Sequence, residues 1–79
     1  MSARILFFGA TADIAERRAI EITVSRDFTV DDALKEAIRR VPGLTSHKLH
    51  ISINQQYATG DEIVRDGDEL AIFTAVSGG

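Results

Sequence analysis

The sequence predicts an α+β domain, a mixed sheet with one main helix packed across one of its faces. Three observations give that class: short apolar stretches with strand periodicity at 4–8, 19–24, 49–53 and 69–74, one sustained helical period over 30–41, and turn-forming residues between them. With 79 residues, 44% hydrophobic, 27% charged and a single proline, the chain is expected to form one unit near the size at which a lone core can still fold. No room is left for a separate catalytic domain.

Arg4-Ile5-Leu6-Phe7-Phe8 is apolar, β-branched and aromatic and ends at Gly9, so it is expected to be a strand buried on both faces or nearly so. Alternation sets Ile5 with Phe7 and Leu6 with Phe8. The polar, alanine-containing segment 11–18 can hold a short helix. In 19–24, Ile20, Ile22 and Val24 face one way and Glu21 and Thr23 the other, the pattern of a half-buried strand pairing antiparallel with the first.

The helix is expected from Val30 to Arg40. Val30, Ala33, Leu34, Ala37, Ile38 and Val41 recur at spacings of three and four, which puts them on one stripe. Thr29 can cap the first turn, Asp31 and Asp32 suit the positive end of the helix dipole, and Arg39 and Arg40 suit the negative end. Pro42-Gly43 stops the helix. Leu49, Ile51 and Ile53 then alternate with His50, Ser52 and Asn54 as a third strand, and 54–56 is a polar turn. Tyr57-Ala58 is a brief fourth strand, Thr59-Gly60-Asp61 another turn, and Asp66-Gly67-Asp68 turns into the last strand. There Leu70 and Ile72 face opposite to Ala71 and Phe73. One long helix and this order of strands give a β-grasp over 1–74, with the last strand beside the first and the second sheet face open. Residues 75–79 follow as a flexible tail.

A net charge of −3 argues against a nucleic-acid surface, because that affinity rests on Lys and Arg neutralising phosphates. Arg17-Arg18 and Arg39-Arg40 are pairs of the kind that solvated faces carry. The absence of cysteine excludes disulfides and thiolate catalysis. The apolar run 5–8 is too short for a signal sequence or a membrane span, so the expected location is the cytoplasm. His47 and His50 have no third histidine or cysteine to complete a metal site, Asp66-Gly67-Asp68 is too short for a calcium loop, and Asp61-Glu62 reads as a solvated turn. No metal is expected.

Two glycines at positions 78 and 79 would occur together by chance about once in 200 sequences. They gain weight from leaving directly off a predicted strand, since residues without Cβ can enter a narrow channel. Ile5-Leu6-Phe7-Phe8, Phe28-Thr29-Val30 with Leu34, Ile53-Asn54-Gln55, and Asp66 to Phe73 running into Val76-Ser77-Gly78-Gly79 resemble the small subunit of molybdopterin synthase across essentially the whole chain. That resemblance implies a ubiquitin-like β-grasp and a sulfur-carrier cycle without catalytic side chains of its own. An adenylating enzyme similar to a ubiquitin-activating enzyme would use ATP and magnesium to turn the Gly79 carboxylate into an acyl-adenylate, and a sulfur donor would convert it to a thiocarboxylate. Val76, Ser77 and Gly78 would insert into the synthase's large subunit, where the sulfur passes to precursor Z. Two small and two large subunits would form a heterotetramer.

Alternation points Phe8 and Phe73 away from the helix, with Tyr57 near them, as an exposed aromatic docking face beside the tail. Phe7 is the expected core residue of the pair Phe7-Phe8. Thr74-Ala75 stands where the family commonly has two prolines, which implies a looser tail. Sulfur carriers for thiamine or for transfer-RNA thiolation, a lysine-conjugating modifier, and a non-covalent β-grasp docking module remain as alternatives.

Overall fold

The computed structural model describes residues 1–74. The expected tail, 75–79, and with it Val76, Ser77, Gly78 and Gly79, lies outside the described residues. Five strands and two α-helices follow one another as β1 (Ser2–Phe7), α1 (Ala10–Ala15), β2 (Ala19–Thr23), α2 (Val30–Arg40), β3 (Leu49–Ile53), β4 (Gln56–Tyr57) and β5 (Glu69–Thr74), with a 3-10 turn at Pro42–Ser46 between α2 and β3. The sheet order is β2-β1-β5-β3-β4. β5 runs parallel to β1, with Ile5 opposite Leu70 and Phe7 opposite Ile72; β2 is antiparallel to β1 and β3 antiparallel to β5. The last strand therefore sits at the centre of the sheet, beside the first, as the element order predicts.

Alternation along each strand sends one set of side chains under α2. Ala3, Ile5 and Phe7 of β1, Ile20 and Ile22 of β2, and Leu70 and Ile72 of β5 are buried there, together with Val30, Ala33 and Ala37 of α2 and Leu44 of the 3-10 turn. Leu34, Ile38 and Val41, on the same helical stripe, pack against the cluster while staying partly exposed.

The helix begins where the sequence puts it because two bonds close a capping box. The Asp32 amide donates to Thr29 Oγ1 at 3.1 Å and the Thr29 amide donates to Asp32 Oδ2 at 3.0 Å, which satisfies two of the amides a helix start leaves unpaired. The Asp32 carboxyl is held below its usual range, by the Thr29 amide most and by the Thr29 hydroxyl next. The turn at 59–62 then latches onto this end. The Val30 amide donates to Glu62 O at 2.9 Å and the Asp31 amide to Gly60 O at 3.0 Å. Gly60 has φ +116°, which favours glycine, and a Cβ there would lie 2.5 Å from Asp31 Oδ1, so the Asp31 side chain would have to swing aside as well.

One expectation changes. β1 is buried on one face only: Arg4 is exposed and Leu6 half-buried, because the long helix covers just one side of the sheet. The helix stops before Pro42-Gly43 as expected, and the same pair has a second use. Pro42-Gly43 opens the 3-10 turn, which carries Leu44 into the core, an economical use of a proline whose missing N–H costs nothing in a first turn.

Candidate functional site

The open face of the sheet is built by the residues that alternate with the core set. β3 lies between β5 and β4, with His50 opposite Phe73 and Ser52 opposite Tyr57. The β3–β4 connection is a two-residue hairpin in which Asn54 and Gln55 both take positive φ, 47° and 71°, as such turns require. Asn54 holds it in place: its amide donates to Glu69 O at 2.7 Å, its Oδ1 accepts from the Glu69 amide at 3.1 Å, and its Nδ2 donates to Asp68 Oδ1 at 3.1 Å. The hairpin so fixed swings Tyr57 over Ser52 toward Phe73.

The result is an aromatic stack. Phe73 and Tyr57 have ring centroids 6.0 Å apart and tilted by 58°, while His50 lies 5.8 Å from Phe73 at 21°, both within the range of favourable aromatic pairs. Ser52 and Gln55 complete a shallow hollow with Tyr57 and Phe73. Tyr57 is 78% exposed and Phe8 52%. Phe8 is thus not a core residue, and Phe7 is. Among the described residues Phe8 stacks on neither ring; it lines a second hollow with Leu6, Ala12 and Arg18 on the far side of β5. The structure joins two of the three aromatic residues singled out by sequence and adds His50. Alternation on β3 already held that signal, since it sets His50 and Ser52 opposite Leu49, Ile51 and Ile53.

The motif residues of the other end turn out to be ties. The Ser2 amide donates to Asp66 Oδ1 at 2.8 Å, which ties the turn to β1, while the Arg65 amide donates to Asp68 Oδ2 at 2.8 Å, which closes the turn on itself; both aspartates of Asp66-Gly67-Asp68 are thus engaged. Among the described residues no cluster of three or more metal-ligating side chains forms. The carboxyls pushed below their usual range lie away from the open face. Glu62 accepts from the Thr59 and Gly60 amides, the Thr59 amide being the largest cause of its shift, and Glu36 is held at about 2 by the Arg39 and Arg40 guanidiniums. These serve a turn and a helix surface. No helix among the described residues is long and apolar enough to cross a membrane.

A five-stranded mixed sheet with a helix across one face and a parallel pair at its centre defines a ubiquitin-like β-grasp. The chain belongs to the ThiS family, whose model matches residues 5–79. It is 35% identical over 82 residues to small archaeal modifier protein 1 of Haloferax volcanii, covering 91% of this chain and 94% of that protein. To the molybdopterin synthase sulfur carrier subunit of Escherichia coli it is 32% identical over 81 residues, covering 96% and 98%. A crystal structure of the Haloferax volcanii modifier superposes with a TM-score of 0.89 at 31% identity over the whole of both chains. The fold also matches, at 20% identity and a TM-score of 0.71, a chain of the protein–protein complex of subunits 1 and 2 of the molybdopterin-converting factor from Helicobacter pylori, covering 100% of both chains.

Proposed function

We propose that this protein is a sulfur carrier, the small subunit of a molybdopterin synthase, which carries sulfur on the Gly79 carboxylate. The observation that supports this most is the family match, which runs through Gly78-Gly79 on a fold whose last strand is held at the centre of the sheet. A carboxylate is a poor electrophile. In the proposed cycle a Gly79 oxygen attacks the α-phosphorus of ATP, bound with magnesium by a separate adenylating enzyme, and pyrophosphate leaves. A sulfur nucleophile of the hydrosulfide class then attacks the acyl carbon and AMP leaves, giving a thiocarboxylate that is ionised and nucleophilic at neutral pH. Inside the large subunit the thiocarboxylate sulfur attacks a carbon of precursor Z and displaces an oxygen from it, which leaves with the bonding pair; water then cleaves the acyl–sulfur bond, restoring the Gly79 carboxylate and leaving the sulfur on the pterin as a thiol.

In this reading Val76, Ser77 and Gly78 enter the partner, the open face with Tyr57 and Phe73 docks on it, and Phe8 extends that contact. The chain contributes no catalytic side chain, the working assembly holds two small and two large subunits, and its site of action is the cytoplasm. The test is reconstitution: thiocarboxylated protein, a molybdopterin synthase large subunit and precursor Z are expected to yield molybdopterin, and no product would sink the assignment.

A second reading has one observation in its favour, the 35% identity to a protein named a modifier. Conjugation uses the same activation but ends with a lysine amine attacking the acyl carbon. Mass spectrometry of protein from cells separates the two, since thiocarboxylation adds about 16 Da and an isopeptide adds a second polypeptide; fragmenting the C-terminal peptide excludes methionine oxidation as the source of the same increment.

A further inference from the structure

We infer that Thr11 is a positioning residue for the carrier reaction, fixing the point on β5 from which the tail departs. The inference rests on the sulfur-carrier reading for its functional consequence, though not for its geometry. Thr11 is the one polar residue among the described residues with a buried side chain, at 0% exposure. It stands in α1, and its hydroxyl reaches two other elements. Oγ1 accepts from the Phe8 amide at 3.0 Å and lies 2.9 Å from Phe8 O and 2.7 Å from Ile72 O.

A hydroxyl has one proton to donate. Each carbonyl also accepts a backbone amide, so distance decides: the hydroxyl proton goes to the shorter bond, to Ile72 O at 2.7 Å. That carbonyl is also where the β1–β5 ladder runs out. The register ends at Phe7 opposite Ile72, the last rung from the Phe8 amide to Ile72 O is long at 3.3 Å, and Gly9 at φ +57° turns the chain away into α1. Beyond Ile72, the register ties β5 only to β3, through Phe73 with His50 and Thr74 with Leu49. Thr11 therefore makes the final tie on the β1 side, two residues before the end of β5. Losing the tie leaves the docking face intact and lets the end of β5 shift laterally. The tail follows from that end, and a misplacement arising far from the chemistry can still lower the rate of a step.

The experiment uses the full chain with an adenylating enzyme of the ubiquitin-activating type, ATP, magnesium and a hydrosulfide salt to discharge the acyl-adenylate, and reads pyrophosphate release. For Thr11→Val, kcat is expected to fall about tenfold with KM for the carrier changed less than about twofold. Thr11→Ser keeps the hydroxyl and is expected to restore kcat. Thr11→Ala, where a water can take the hydroxyl's place, serves as a second variant with an intermediate kcat and is used alone if Thr11→Val does not fold. Val64→Ala, at a buried position whose amide donates to Phe28 O, supplies a destabilised control with unchanged kcat. A Thr11→Val or Thr11→Ala protein with wild-type kcat overturns the inference, and so does a Val64→Ala protein whose kcat falls as far. Hydrogen exchange judges the tie without any enzyme. The Phe8 amide is expected to exchange at least about tenfold faster in the Thr11 variants while α2 amides do not change, and unchanged Phe8 protection overturns it. Failure of the wild-type protein to release pyrophosphate would instead count against the carrier reading, leaving the exchange result to decide the tie.

Discussion

The same strands build two faces of opposite character. Under α2, β1 and β5 contribute Ile5, Phe7, Leu70 and Ile72 to a closed core; on the other side the neighbouring positions expose Phe8 and place half-buried Phe73 against the highly exposed Tyr57. Folding accounts for the first face completely, since its apolar area leaves water when α2 docks. It does not account for the second. Tyr57, held in water by a two-residue hairpin and an asparagine clamp, buries little area on folding, and exposed aromatic area of this kind is available for association.

That contrast can be broken at several points. Ile5→Ala on the covered face is expected to cost about 2–5 kcal/mol by denaturant unfolding, through lost transfer energy and a cavity; a cost under 1 kcal/mol would mean the core is not where the structure puts it. On the open face, Tyr57→Ala should change stability by less than about 1 kcal/mol. Its effect should appear instead as at least about tenfold weaker binding to the large subunit, measured by calorimetric titration. Equal losses of stability at the two positions would erase the distinction between the faces.

Gly60→Ala probes the latch between the 59–62 turn and α2. With φ +116° and Asp31 Oδ1 2.5 Å from the new Cβ, it should lower stability by about 1–3 kcal/mol in the same unfolding assay, without affecting the open face. The smallest effect concerns pH. Glu36 is held at about 2 by Arg39 and Arg40, below its ordinary value, so its contribution is complete above that ordinary value, about 4.3, and is lost as pH falls through about 2. The wild type should therefore lose slightly more stability than Glu36→Gln between those limits, the loss being slight because the pair is surface-exposed. Parallel curves for the two proteins would show that the ion pair does not contribute.

Much of the fold was legible because local and global signals agreed. α2 runs from Val30 to Arg40 as expected, its stripe, its cap and its terminal charges all marking the same span. β5 matches from Glu69 to Thr74 because its turn and its alternation coincide. Alternation already put Phe7 in the core and Phe8 outside it, as found; what sequence could not show was that the second face of Leu6-Phe7-Phe8 stays open, since three consecutive apolar residues fit a strand covered on both sides until the number of covering helices is known. The meeting of Tyr57 with Phe73 also depends on strand order, because β3 has to lie between their strands. Thr11 gave no signal at all: a threonine in a polar, alanine-containing segment looks solvated, and only the return of β5 beside β1 buries it.

The central claim is that the Gly79 carboxylate carries the function, and the C-terminal peptide tests it most directly. Fragmentation of that peptide from protein incubated with the adenylating enzyme, ATP, magnesium and a sulfur donor should place an increment of about 16 Da on Gly79 itself, and a variant with one residue added after Gly79 should acquire none. An unmodified Gly79, or a lengthened chain that still supports molybdopterin formation, would contradict the account.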